Sequence, residues 1–104
     1  MKNKMNFNNT PIDWNEVHDV IEKSETLLLT THENPDGDGL GAECGLYYHL
    51  IEQDKEVRII NYSPLPSEYQ YLNEDNIYEY YDSESHDEWI KDIDLVIVFD
   101  VGDF

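Results

Sequence analysis

Positive charge is scarce in this sequence: six Lys and Arg stand against 24 Asp and Glu in 104 residues, a formal net charge of −18. That balance excludes a basic nucleic-acid groove, which needs clustered cations to displace counterions from phosphates. Cysteine is nearly absent. The lone Cys44 can form no internal disulfide and belongs to no Cys-x-x-Cys pair, so neither a stapled secreted fold nor a structural zinc site is available. Long apolar runs are missing too: the longest aliphatic or aromatic run, Leu95 to Phe99, is far too short to cross a bilayer. Met1 to Asn9 is Asn-rich and lacks the apolar stretch of a signal peptide. A soluble, cytoplasmic protein is expected.

Aromatics, by contrast, are plentiful. Eight Tyr, two Trp and three Phe argue against a disordered acidic tail, because such tails are poor in aromatics. The length is room for one small domain, which buries roughly 60 to 68% of its unfolded surface. If the chain handles phosphate, something other than its side-chain cations must attract it.

Residues 1–9 are expected as a flexible N-terminus. Thr10 and Pro11 read as a helix start, Thr10 capping and Pro11 presetting φ, with Trp14, Val17, Val20 and Ile21 recurring at helical spacing through Ser24. Thr26 to Thr31 is a short apolar run bounded by Thr, suited to a strand buried on both faces. His32 to Gly39 follows as a loop, broken by Pro35 and two glycines. From Leu40 a helix is expected to near Gln53, with Leu40, Cys44, Tyr47 and Ile51 as its apolar stripe. Val57 to Tyr62 is a second strand, ended by Ser63-Pro64-Leu65-Pro66. Ser67 to Glu88 has no clear period. Asp94 to Asp100 is the strongest strand signal of the chain.

This order predicts an α/β fold, a parallel sheet with flanking helices, Rossmann-like and incomplete at its carboxyl end. The loop after the first of these strands and Asp100 at the end of the third then share the sheet edge where such folds bind ligands. A strand as apolar as Leu95 to Phe99 needs cover on both faces, so residues 10–104 are expected to be the amino-terminal part of a longer domain.

His32, Asp36 and Asp38 stand at i, i+4 and i+6 of that loop. A neutral imidazole and two carboxylates converge on a cation only where the backbone bends sharply, and Gly37 and Gly39 permit positive φ. The mixed nitrogen and oxygen set suits Mn²⁺, Fe²⁺ or Zn²⁺. Asp100 would add a carboxylate able to bridge two ions, and two metals about 3.5 to 4 Å apart form the usual clamp for phosphoester hydrolysis. Two other loop readings fail. A calcium loop starting at Asn34 would carry Gly45 where a bidentate Glu is needed. The dinucleotide pattern Gly37-x-Gly39-x-x-Ala42 would set Asp36 and Asp38 against a pyrophosphate.

Thr30 to Ala42, with His32-Glu33-Asn34-Pro35-Asp36-Gly37-Asp38-Gly39 at its centre, resembles the first motif of the DHH phosphoesterase superfamily, and Asp94 to Asp100 resembles the second. The layout, including Pro64 to Leu72, is most similar to the bifunctional oligoribonuclease and phosphoadenosine-phosphate phosphatase (nanoRNase) branch. The resemblance implies Mn²⁺-dependent hydrolysis of phosphodiesters or phosphomonoesters in short oligonucleotides or small nucleotides, with two ions expected and Mg²⁺ or Co²⁺ as alternatives. By position His32 and Asp36 would hold one metal, Asp38 the other, and Asp100 would bridge them, Asp38 and Asp100 being the catalytic pair. NanoRNA, phosphoadenosine phosphate and cyclic dinucleotides stay open as substrates, with no long duplex, no membrane, and a homodimer as an assembly to test. The sequence departs from the family pattern: Ala42 stands where Ser is common, and neither an Asp-His-His, nor the later metal ligand, nor the family's carboxyl-terminal substrate-binding domain is within these residues. A non-hydrolytic nucleotide- or metal-binding regulatory module, or an inactive fragment, is the alternative.

The remaining candidates read as structural. His18 and His86 are expected at the surface, His49 on a helix face, Cys44 as a small buried hydrophobe, and Tyr78, Tyr80 and Tyr81 as packing under a long loop.

Overall fold

The computed structural model describes residues 3–6, 13–31 and 36–99. Five strands, β1 (Asn3–Asn6), β2 (Thr26–Thr31), β3 (Glu56–Asn61), β4 (Tyr78–Tyr80) and β5 (Leu95–Phe99), form one parallel sheet in the order β1-β5-β2-β3-β4. Between them lie α1 (Trp14–Lys23), α2 (Gly37–Ile51), a 3-10 helix (Ser67–Asn73) and α3 (Ser83–Ile90). The expected α/β fold with a parallel sheet and flanking helices is therefore present. Among the described residues no helix is long and apolar enough to cross a membrane.

Connection direction explains which face each helix covers. From β1 to β4 the chain moves one way across the sheet, and from β4 to β5 it returns past β3 and β2. Right-handed crossovers then put α1 and α2 on one face and α3 on the other. The core has that division. Leu27, Leu29, Val57, Ile59, Leu95 and Ile97 meet Leu50 and Tyr47 of α2 and Val20 and Ile21 of α1. Leu28, Ile60 and Ile93 meet Trp89 and Ile90 of α3. The alternation of Leu27, Leu28 and Leu29 between faces is the period-two pleat of a strand covered on both sides. Full burial of a Leu or Ile side chain stabilises by about 1.5 to 3 kcal/mol.

Several boundaries differ from the sequence reading. No strand is expected before Thr26, yet Asn3–Asn6 pairs in parallel with Leu95 to Val98. The first helix starts at Trp14, because the Asp13 carboxylate accepts from Asn15 N at 3.0 Å and Glu16 N at 3.3 Å and caps it. Thr10 and Pro11 lie outside the described residues. At the other end Ser24 Oγ donates to Val20 O at 2.8 Å, and Lys55 Nζ donates to the carbonyls of Glu22 (3.1 Å) and Ser24 (2.6 Å). A cation thus covers the negative end of α1. The Asp94 carboxylate accepts from Glu25 N and Thr26 N, tying the start of β5 to the start of β2.

The stretch without a period resolves into the 3-10 helix, β4 and α3. Asn73 Oδ1 accepts from Tyr78 N at 2.9 Å, and Asn76 takes a left-handed φ of 57° in the turn between them. Three-residue β4 is too short to show an alternation. In α3 the inward groups are His86, Trp89 and Ile90, a helical spacing masked by the acids around it.

Candidate functional site

β2 and β5 are neighbours in the parallel sheet, so their carboxyl ends share the edge where such sheets bind ligands. Thr31 is in register with Phe99, the last residues of the two strands. His32 and Asp100 follow them directly in sequence and lie outside the described residues.

Asp36 and Asp38 are placed by α2. Asp36 is the N-cap, with Oδ1 accepting from Gly39 N at 3.0 Å, and Asp38 stands in the first turn. Both are exposed, and no Lys or Arg pairs with either among the described residues. The loop expected through Gly39 therefore ends at Asp36, and its last three residues are helix. An Asp cap reaching the third N–H beyond it stabilises the terminus by about 1 kcal/mol and overrides the turn propensity of the two glycines. Positive φ is not their contribution: among the described residues no glycine has it. At Gly37 the reason is closeness, since a Cβ there would lie 3.0 Å from the Tyr69 hydroxyl and 3.1 Å from its ring.

Behind this turn lies a polar chain that the sequence reading missed. Glu43 is fully buried on α2. Its Oε1 accepts from Asn61 Nδ2 at 2.9 Å, while Asn61 Oδ1 accepts from Thr31 N at 3.2 Å. Glu43 Oε2 has no hydrogen-bond partner among the described residues. Burial pushes the Glu43 carboxyl up to about 8, partly opposed by the Asn61 hydrogen bond. The Tyr78 hydroxyl donates to the Leu40 carbonyl and anchors the same part of α2 to β4. The inward residues of α2 are Leu40, Glu43 and Leu50, with Cys44 and Tyr47 half-buried and Ile51 exposed. The expected stripe is thus rotated by a fraction of a turn. Glu43 sits at i+3 from Leu40, which is the one sequence signal that could have found it.

His86 corrects another expectation: it is buried, not solvated. Its Nδ1 accepts from Asp82 N at 2.9 Å, which leaves Nε2 to donate to Glu79 Oε1 at 3.0 Å. Arg58 donates to both oxygens of Glu79 and stacks over Trp89, 4.9 Å from the ring centre. Chiefly the Arg58 hydrogen bonds hold the Glu79 carboxyl below the usual carboxylate range. His18 and His49 are exposed, as expected, and Cys44 packs against the core. Tyr80 is 60% exposed rather than packed.

Among the described residues no three His, Cys, Asp or Glu stand together to hold a metal ion. The donor set at α2 still fits one: two exposed carboxylates two residues apart, paired with no Lys or Arg among the described residues, at the start of the helix that follows β2. Hard divalent ions take such oxygen donors, and imidazole extends the set to transition metals.

No protein-family model matches the chain, and no curated protein matches it. Among solved structures it is similar to an exopolyphosphatase-related protein from Bacteroides fragilis, with a TM-score of 0.65 and 22% identity. The match covers 81% of this chain and 25% of the other. The chain therefore spans about a quarter of that protein's length and shares its fold over that part.

Proposed function

We propose that this chain contributes the metal-binding edge of a phosphoesterase, hydrolysing phosphodiesters or phosphomonoesters of short oligonucleotides or small nucleotides. The observation that carries the reading is the placement of Asp36 and Asp38 at the N-cap and first turn of α2, the helix that follows β2, whose carboxyl end is paired with that of β5. The fold likeness to a protein described as exopolyphosphatase-related supports a phosphoester or phosphoanhydride substrate, and the resemblance of the two motifs favours the oligoribonuclease-like branch.

In this reading His32 and Asp36 would hold one Mn²⁺, Asp38 would hold the second, and Asp100 would serve both. Bound divalent cations supply Lewis acidity and the positive charge that six Lys and Arg cannot provide. The chain's own residues orient the site. Asp36 is held in place by its bond to Gly39 N, and the N–H groups of the α2 first turn favour an anionic phosphoryl group beside them. Tyr69 closes one side against Gly37.

The test is hydrolysis of dinucleotides, phosphoadenosine phosphate and polyphosphate by the full polypeptide, with and without added Mn²⁺. Nucleotide hydrolysis that needs Mn²⁺ and falls at least 100-fold in Asp38→Ala is expected. Full activity of Asp36→Ala and Asp38→Ala would overturn the reading, and turnover of polyphosphate alone would replace its substrate class. The same exposed carboxylates would also serve a binding module without hydrolysis, which Mn²⁺ and nucleotide binding with no turnover would establish.

A further inference from the structure

Glu43 is a costly residue to bury. One of its carboxyl oxygens is unpaired among the described residues, and an unsatisfied buried polar group costs about 1 to 3 kcal/mol. An apolar side chain on the same helix face would fill the space without that loss, so packing does not account for a carboxyl here.

Geometry does. Thr31 and Asn61 are the last residues of β2 and β3, and Glu43 lies less than two turns beyond Asp36 on α2. The Asn61 amide spends both its ends: Oδ1 holds the N–H at the β2 terminus, and Nδ2 holds the Glu43 carboxyl. Rotating or sliding the start of α2 against the sheet edge breaks the helix side of this chain at once. Leu40, three residues before Glu43, is tied to β4 by Tyr78, so the first two turns of α2 are fixed at two points.

We infer that Glu43 is a positioning residue, which through Asn61 sets where the α2 first turn, with Asp36 and Asp38, stands relative to the end of β2. The inference rests on the reading of that turn as cation-binding. With its carboxyl pushed up to about 8 by burial, Glu43 is neutral at pH 7, and Gln is its conservative match.

The experiment is a Mn²⁺ titration of the full polypeptide by calorimetry, beside urea unfolding of each variant without metal. Glu43→Gln keeps an acceptor for Asn61 and is expected within twofold of the wild-type affinity. Glu43→Leu keeps the packing and the unfolding midpoint but weakens Mn²⁺ binding at least tenfold. Wild-type affinity in Glu43→Leu overturns the inference and leaves the cation site standing, whereas a wild-type protein that binds no Mn²⁺ overturns the cation site itself. Should Glu43→Leu not fold, Asn61→Ser severs the same link from the strand side, with the same tenfold loss expected and unchanged affinity counting against it.

Discussion

Two glutamates, on opposite faces of one sheet, receive opposite treatment. Glu79 under α3 is met by the Arg58 guanidinium and by His86, and its carboxylate is held low. Glu43 on the inner side of α2 meets one amide, keeps one oxygen without a partner among the described residues, and is driven up towards neutrality. The first arrangement is a staple: a bidentate ion pair, a cation over an aromatic ring and a buried histidine join β3, β4 and α3. The second is a poor staple, joined through Asn61 to the carboxyl ends of β2 and β3. The polar cluster on one face is satisfied, and the one on the other keeps an oxygen without a partner among the described residues.

The largest effect that can break this contrast is the pH dependence of folding. For Glu43 the folded value lies above the unfolded one, about 8 against 4.5, so the native state keeps a proton that the unfolded chain has lost. Stability from this group is complete below about pH 4.5 and is lost as pH rises through 8. At about 1.4 kcal/mol per pH unit the fall between pH 5 and pH 8 is about 3 to 4 kcal/mol. Glu43→Gln should remove that slope in urea unfolding at several pH values, and an unchanged slope would mean that Glu43 is ionised in the fold.

Glu79 has the reverse sign. Its folded value is lowered, so its contribution is present above the unfolded carboxylate range and disappears as pH falls through the folded value. The difference in midpoint between wild type and Glu79→Gln should therefore shrink in acid. Arg58→Met, read at pH 7, is expected to lose about 1 to 2 kcal/mol, since the pair is partly exposed.

A smaller coupling sharpens how tightly the α2 terminus is held. A Cβ on Gly37 meets Tyr69, so Gly37→Ala should be less favourable in the wild type than in a Tyr69→Ala background by about 1 kcal/mol, measured as a double-mutant cycle. The smallest effect compares two caps of the same chemistry. Asp13→Ser and Asp36→Ser each keep a capping oxygen and should change stability by less than about 0.5 kcal/mol. Only Asp36→Ser should abolish Mn²⁺ binding, which separates a cap from a cap that is also a ligand.

Where side-chain pattern alone decides structure, the sequence was legible. Leu27 to Leu29, flanked by Thr, and Leu95 to Phe99 are uninterrupted apolar runs that a strand covered on both faces accommodates, and both strands are legible to within a residue. The start of α2 was displaced because two glycines and a proline look like a loop, while the deciding bond, from Gly39 N to Asp36, depends on geometry. Residues 67–90 were illegible for a different reason: β4 owes its existence to pairing with β3, from Ile59 and Tyr78 onward, a partner nineteen positions away. His86 reads as solvated among Asp82 to Glu88, and its burial follows from Glu79 and Arg58 lying on the sheet face that α3 covers.

The sequence by itself determined the fold class and the cluster of Asp36 and Asp38 after a buried strand, since those rest on local composition and order. It also determined that positive charge for any phosphate chemistry has to come from outside the side chains. Only the tertiary structure decided that Glu43 faces inward and is linked through Asn61 to the end of β2, because that link joins three elements far apart in the chain. Burial, which shifts a carboxyl from charged to neutral, is a property of what surrounds a residue and not of the residue itself.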